Sequence, residues 1–173
     1  MTEWRRTGAQ VDRSRGQAMV EFALVAPLFF LLVFGLIEFG RAMYYVQILN
    51  NAAREGARYA IVHGSAALCP SGPLPGGGTN PCDPSGANVV VAARRYAFGV
   101  VDNGTLTVTR CWNSISAPSA SCDNAASNFG PGNDQRGSPV YVQVSLTYST
   151  ILGSLVPIPT FTIQGESTLV VNH

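Results

Sequence analysis

Lysine is absent from this chain of 173 residues, so all eleven basic residues are arginine. The absence of lysine excludes lysine-based covalent chemistry and the lysine of a phosphate-binding loop. Charge of either sign is scarce, at 12% of residues, and the net charge of +1 argues against a nucleic-acid partner. By contrast, 46% of the residues are hydrophobic, which favours a membrane-associated class of protein.

Histidine is also scarce, since His63 and His173 are the only two. Neither a Ser-His-acid nor a Cys-His constellation therefore has a convincing member. Several acidic residues stand beside Asn, Gly or Pro, where turn formation is their commoner role: Asp83, Asp102, Asp123 and Asp134. The sequence predicts a protein that is not an enzyme and that uses no cofactor or metal.

The four cysteines, Cys69, Cys82, Cys111 and Cys122, include no Cys-x-x-Cys pair. Two disulfides therefore explain them better than a zinc site does. The most natural pairing joins Cys69 to Cys82 and Cys111 to Cys122, but four cysteines allow three pairings and the sequence does not decide between them. Disulfides would place this part of the chain on an oxidising side of a membrane.

A long apolar run is the most prominent feature that the chain does contain: sixteen residues, 22–37, carry no charge. A helix that is hydrophobic all round must be buried in a large core or in lipid. The run covers about 24 Å as a helix, and its apolar flanks extend it toward the roughly 30 Å of a bilayer core. We predict a single-pass membrane span at about 20–40, with the arginine-rich residues 1–16 on the cytoplasmic side.

A cleaved secretory signal peptide is the alternative explanation of this run. The run is long for such a peptide, and it ends in Glu38-Phe39-Gly40 rather than in a small-x-small cleavage site. Arg41 is expected to be exposed at the outer membrane surface as the partner of Glu38, three residues earlier in the helix.

The helical pattern continues beyond the run, so one helix is predicted over 17–62. Its outer half is amphipathic, with a stripe of small residues at Ala52, Gly56 and Ala60, while Arg54 and Arg58 fall on a solvated face. A solvated face explains these two arginines better than an anion-binding site does.

The remaining residues, 63–173, are predicted to form an extracytoplasmic domain. A short helix is expected over 88–98, with Asn88 as its cap. Alternating residues predict strands over 105–110, 140–147 and 161–171, with a bulge at Gly165. Three strands with one apolar face need a cover, and the amphipathic half of the long helix can supply it. The predicted fold class is α+β, with a long N-terminal helix packed on a small antiparallel sheet and one short extra helix.

Glu21 is the polar residue that composition does not explain, because a carboxylate in an apolar helix costs about 3 kcal/mol near the bilayer centre. Gly16 followed by Gln17-Ala-Met-Val-Glu21-Phe22 resembles the type IV prepilin processing site. In that site a membrane peptidase cuts after the glycine, and a glutamate stands at the fifth mature position. The resemblance implies cleavage between Gly16 and Gln17 and an assembly role for Glu21.

More closely, residues 15–24 together with residues 50–60 resemble the TadE-like pseudopilins of tight-adherence (Tad, Flp) pilus systems. Phe22 stands where the major pilins of these systems usually have Tyr, which points to a minor subunit. The resemblance implies a pilin-like fold in the cytoplasmic (inner) membrane. It also implies three kinds of protein partner: a prepilin peptidase, other pilin and pseudopilin subunits, and the inner-membrane assembly platform.

The sequence thus predicts a non-catalytic minor pseudopilin that takes part in assembling a Tad-type (type IVc) pilus. The alternative is a membrane-anchored binding module or adhesin whose outer sheet and disulfide loops capture a surface ligand. The sequence leaves open what that ligand is and whether the subunit stays in the assembled pilus.

Overall fold

The structure, a computed structural model, describes residues 13–72, 74, 80–99, 101, 105–112, 136–154 and 159–172. Its elements in chain order are two helices, two strands, a short 3-10 helix and a third strand: α1 Arg13–Val62, α2 Ala87–Ala97, β1 Leu106–Trp112, β2 Pro139–Tyr148, the 3-10 helix Ile151–Ser154 and β3 Phe161–Val170. The predicted α+β class is confirmed. The chain divides into two compact units, Met1–Gly40 and Arg41–His173.

The first unit contains the N-terminal part of α1. The described part of this helix begins at Arg13 and so includes four residues before the predicted start. Among the described residues, α1 is the one helix long and apolar enough to cross a membrane, with a mean hydropathy of 2.5 in its most apolar part. None of that apolar part is buried within the protein.

In the second unit, the three strands form an antiparallel sheet in the order β1-β2-β3. Val144 is the centre of the ladder, paired with Val108 on one side and with Gly165 on the other. The β2–β3 register is unbroken from Pro139↔Val170 to Tyr148↔Phe161. The predicted bulge at Gly165 is therefore wrong.

Gly165 has a different role, which is to let α1 approach the sheet closely. A Cβ added there would overlap the backbone nitrogen of Asn50 and the carbonyl carbon of Leu49 in α1. The backbone N–H of the next residue, Glu166, donates to the Asn50 side-chain oxygen at 3.3 Å. A glycine inside a strand can mark either a bulge or a close backbone approach, and here it is the latter.

The outer half of α1 covers the sheet through its small residues, as predicted. Ala52 and Ala60 are fully buried. A Cβ added to Gly56 would lie 3.2 Å from Ala93 of α2 and 3.2 Å from Val142 of β2. The stripe of small residues therefore lets α1 pack against α2 and the sheet at once.

A disulfide joins Cys69 to Cys82, with their Cα atoms 5.5 Å apart, which confirms this predicted pair. Cys111 in β1 is also disulfide-bonded. Cys122, its predicted partner, lies outside the described residues. The ring of the neighbouring Trp112 packs against the backbone of Gly72, where a Cβ would lie 2.6 Å from it. This contact packs the loop closed by the Cys69–Cys82 disulfide against the last residue of β1.

Asp83, predicted only to form a turn, fixes the start of α2. Its side chain is 4% exposed and accepts hydrogen bonds from the backbone N–H groups of Ala87, at 2.7 Å, and Asn88, at 2.9 Å. It also accepts a hydrogen bond from the Ser71 hydroxyl. The prediction that Asn88 caps this helix is therefore wrong, because Asp83 supplies the carboxylate that the helix N-terminus favours.

Candidate functional site

The four residues predicted for processing and assembly, Gly16, Gln17, Glu21 and Phe22, all lie near the start of α1 and are exposed. The Gln17 side-chain amide donates to the Glu21 carboxylate, Nε2 to Oε1, at 3.1 Å. Residues four apart lie on one face of a helix, which explains the contact. The structure thus brings the residue after the predicted cleavage point together with the glutamate predicted to act in assembly.

The bond from Gln17 leaves the charge of Glu21 unneutralised, because an amide is a neutral donor. Within the described part of the chain, this amide is the one side-chain partner of the carboxylate. In lipid, a charged group without a cation is costly.

The peptide bond after Gly16 lies in an exposed part of α1. A Cβ added at Gly16 would have nothing within 4 Å. Glycine costs about 1 kcal/mol relative to alanine in a helix interior, so this residue does not itself favour the helix. The backbone at the predicted cleavage point is therefore open to the surroundings of the helix.

Beyond Glu21, α1 presents an apolar surface on all sides. Phe22 is 71% exposed, and the large apolar side chains that follow are about half exposed or more: Leu24, Val25, Leu28, Phe29, Phe30, Leu31, Leu32, Phe34, Leu36, Ile37 and Phe39. A soluble monomer rarely exposes so large a contiguous apolar patch. This surface requires lipid, neighbouring helices or both.

In the second unit, Arg41 joins α1 to the end of β2. Its Nε donates to the Tyr148 hydroxyl at 2.8 Å, and its Nη2 donates to the Ser149 carbonyl at 2.7 Å. The guanidinium also lies over the Tyr148 ring, 4.8 Å from its centre. Arg41 is half-buried, so the prediction of an exposed arginine is wrong: the sequence pattern could not show that the sheet would reach it.

A groove of about 490 Å³ lies between the outer half of α1 and α2. Its polar lining includes Glu55 and Arg95, and its aromatic lining consists of Tyr59 and Tyr96. The nearby Arg54 and Arg58 are exposed, as predicted for a solvated face. The groove combines charged and aromatic side chains, so it can hold a small polar or aromatic group.

Tyr141 and Glu166 form a polar pair on the sheet that no local sequence pattern predicts. The Tyr141 hydroxyl donates to Glu166 Oε2 at 2.7 Å. Burial, followed by this hydrogen bond and the negative charge of Glu166, raises the pKa of Tyr141 to about 12. Only the strand register brings these two residues together. Glu166 is paired with Gln143, which places it diagonally beside Tyr141.

Metal binding finds no support in the described residues, where no group of three His, Cys, Asp or Glu side chains could hold an ion. The His63 ring stacks on Tyr59 with ring centres 4.0 Å apart, and its Nδ1 lies 3.0 Å from the Tyr59 carbonyl oxygen. These contacts give His63 a structural role at the end of α1.

Comparison with known proteins finds a family match in the N-terminal segment. Residues 16–58 match the family model described as TadE-like protein, which confirms the resemblance over this part of the chain. No curated protein and no solved structure matches the chain. The matched residues include the processing and assembly positions and the small-residue stripe, whereas the strands of the sheet lie outside the match.

Proposed function

Because residues 16–58 are TadE-like, we propose that this chain is a non-catalytic minor pseudopilin that takes part in assembling a Tad-type (type IVc) pilus. A prepilin peptidase cuts after Gly16, and the helix that then begins at Gln17 joins the helices of other pilin and pseudopilin subunits. The observation that carries the proposal is the Gln17–Glu21 contact, at 3.1 Å, on the exposed face of α1.

Cleavage changes the charges at this contact. It would convert the backbone nitrogen of Gln17 from an amide into a charged amine at a helix N-terminus, which already has a positive partial charge. That cation and the carboxylate of Glu21 would each be expensive to leave unpaired in lipid. When two such helices lie side by side, Glu21 of one neutralises the amine of the other and fixes their axial register.

The apolar surface of α1 supplies the driving force for such a bundle. Phe22 and the side chains that follow it are exposed in the single chain, so neighbouring helices can pack against them. In lipid, helix association depends on this packing and on polar contacts between helices rather than on the hydrophobic effect. Glu21 would then supply the polar contact that specifies which helices associate and in which register.

The proposed location is the inner membrane, with the N-terminus cytoplasmic and the second unit outside. The arginines that precede the span, including Arg13 and Arg15, favour the cytoplasmic side. The Cys69–Cys82 disulfide supports an oxidising compartment for the second unit. The inner-membrane assembly platform would engage the chain from this position.

Substitution of Glu21 tests the proposal. We expect Glu21→Ala to insert into the membrane normally but to lose co-purification with pilus subunits, and Glu21→Gln to fail as well because it keeps the shape without the charge. Glu55→Gln is the matched control, since Glu55 is an exposed glutamate on the outer half of the same helix. Normal pilus assembly with Glu21→Ala would contradict the proposal.

A membrane-anchored binding module or adhesin is the second candidate, and the groove beside Tyr59 and Tyr96 favours it. Deletion of the gene separates the two functions. Loss of filaments supports the pseudopilin, whereas normal filaments with lost adhesion support the binding module. A subunit at the tip of a pilus would combine both roles.

A further inference from the structure

One end of the sheet lies against the first residues of α1 that follow the apolar run. Tyr148 and Phe161 are the last cross-strand pair of β2 and β3, with ring centres 5.1 Å apart. Tyr148 also contacts Tyr45 of α1, at 5.6 Å, and accepts the hydrogen bond from Arg41. Arg41 comes directly after Gly40, the last residue of the predicted span.

This end of the sheet carries exposed apolar and aromatic side chains. Tyr44 is 52% exposed, Ile151 is 56% exposed and Phe161 is 45% exposed. Ile151 comes two residues after Ser149, whose carbonyl accepts the hydrogen bond from Arg41. Isolated exposed hydrophobic residues are normal on soluble proteins, but these three are linked to one tyrosine. Phe161 contacts Tyr148, Ile151 follows Tyr148 by three residues, and Tyr44 contacts Tyr45, which itself contacts Tyr148.

The segment between β2 and β3 is apolar in composition. Residues 149–160 include no charged side chain and contain four isoleucine, leucine or valine residues in addition to Ile151. Such a composition is unusual for a connecting segment, because connecting segments normally run over the surface in water.

The depth of this end follows from the helix rise. If the hydrocarbon ends near Gly40, then Tyr44 lies about 6 Å beyond it, within the headgroup layer of roughly 5–7 Å. Aromatic side chains with a polar group are favoured at that depth. Because Tyr148 contacts Tyr45 of α1 and Phe161 contacts Tyr148, this end of the sheet would reach the same layer.

We propose that the Tyr148 end of the sheet, with Tyr44, Ile151 and Phe161 exposed around it, is a lipid-binding surface. It lies in the headgroup layer of the bilayer that α1 crosses and anchors the second unit there. We assign lipid rather than another protein to this surface because the part of α1 that it contains, residues 41–45, directly follows the predicted membrane span. The inference depends on the membrane span and not on pilus assembly, so either proposal can fail alone.

Spin labels on the full chain in phosphatidylcholine–phosphatidylglycerol nanodiscs test this surface. A nitroxide is attached to Ile151→Cys, and its collisions with oxygen, which partitions into lipid, are compared with collisions with a water-soluble nickel chelate. Leu31→Cys is the reference inside the span, and Tyr96→Cys is the reference on an exposed surface of α2. The unsubstituted chain, treated identically, corrects for any label on native cysteines.

We expect the ratio of oxygen to nickel collisions at Ile151 to be several-fold above that at Tyr96 and below that at Leu31. A ratio equal to that at Tyr96 would place the surface in water and overturn the inference. Shielding from both reagents would indicate a protein contact and would also overturn it, as would a water-exposed label at Leu31. Phe161→Cys provides an independent second position if Ile151→Cys does not fold.

Discussion

Arg41 donates from its Nε to the hydroxyl of Tyr148 at 2.8 Å, although the two residues are 107 positions apart in the chain. The contact joins the first residue of the second unit to the last residue pair between β2 and β3, Tyr148 and Phe161. A planar guanidinium that donates to two acceptors and stacks on a ring cannot be replaced by the point charge of a lysine. Arg41 thus has a geometric role in addition to its charge.

Removal of this contact should destabilise the second unit. We expect Arg41→Ala to lower the free energy of unfolding by about 1–3 kcal/mol, because two hydrogen bonds from a charged donor and a cation–π contact are lost. Tyr148→Phe removes only the hydroxyl and should cost about 1 kcal/mol. Denaturant unfolding in detergent, followed by tryptophan fluorescence, measures both. Arg54→Ala, at an exposed arginine, is the control, and an equal loss in Arg54→Ala and Arg41→Ala would contradict the role of the contact.

Gly165, the one glycine in the described strands, should not tolerate a side chain. Gly165→Ala would force a Cβ into the backbone of α1 at Leu49 and Asn50, and we expect a loss of about 3 kcal/mol or more. Gly56→Ala is the comparison, because its Cβ would meet side chains at 3.2 Å and helix propensity would offset about 1 kcal/mol. Thermal unfolding by circular dichroism ranks the two. A melting temperature of Gly165→Ala equal to that of the unsubstituted chain would show that α1 does not approach the sheet this closely.

The carboxylate of Asp83 should be essential to the position of α2. Asp83→Asn keeps the shape but presents an amide to backbone N–H groups that need acceptors, so we expect a loss of about 2 kcal/mol. Hydrogen exchange of the Ala87 and Asn88 amides provides a local measurement, because both bond to this side chain. Glu55→Gln, on an exposed face of α1, should leave these two amides protected. Unchanged exchange in Asp83→Asn would argue against the capping role.

Tyr141 should make the stability of the second unit sensitive to alkali. Its pKa in the folded chain is about 12, above the ordinary value of 10, because of burial and the hydrogen bond to Glu166. The folded state therefore favours the neutral phenol. Its stabilising effect is complete below pH 10 and is lost as the pH rises from 10 through about 12.

Glu166→Gln tests the cause of this shift. The substitution removes the negative charge that opposes ionisation, so the pKa of Tyr141 should fall toward its ordinary value. Ultraviolet absorbance of the phenolate, with Tyr141→Phe to identify the signal, follows the titration. An unchanged titration in Glu166→Gln would assign the whole shift to burial.

Much of the fold could be predicted from local patterns. Alternation gave the second strand as 140–147, within one residue of Pro139–Tyr148 at each end, and the three- and four-residue spacing of small side chains located the buried face of α1. These patterns depend on neighbours along the chain, so they can be read without a partner. The Cys69–Cys82 pair was favoured because only twelve residues separate the two cysteines, and the structure contains it.

Contacts between distant elements could not be predicted in this way. The pattern around Gly165 predicts a bulge because the sequence does not show which helix crosses the strand there. The neighbours of Asp83 predict a turn because its acceptor role depends on how the disulfide loop is placed against α2. The helical spacing predicts an exposed Arg41 because its acceptors, Tyr148 and Ser149, are distant in the chain.

The processing and assembly residues are predicted on a different basis from the fold. Gly16, Gln17, Glu21 and Phe22 were identified by resemblance, and the family match covers all four positions. The structure adds the hydrogen bond from Gln17 to Glu21, which the resemblance did not include. Cleavage after Gly16 and pairing between subunits stay predictions.

The mass of the mature N-terminus is the most direct test of the pseudopilin proposal. The chain is expressed in cells with an active prepilin peptidase and in cells that lack the peptidase, purified from the membrane fraction and analysed by intact-mass and N-terminal peptide mass spectrometry. The proposal predicts a chain that begins at Gln17 in the first strain and one that retains residues 1–16 in the second. A chain that retains residues 1–16 in both strains would contradict it.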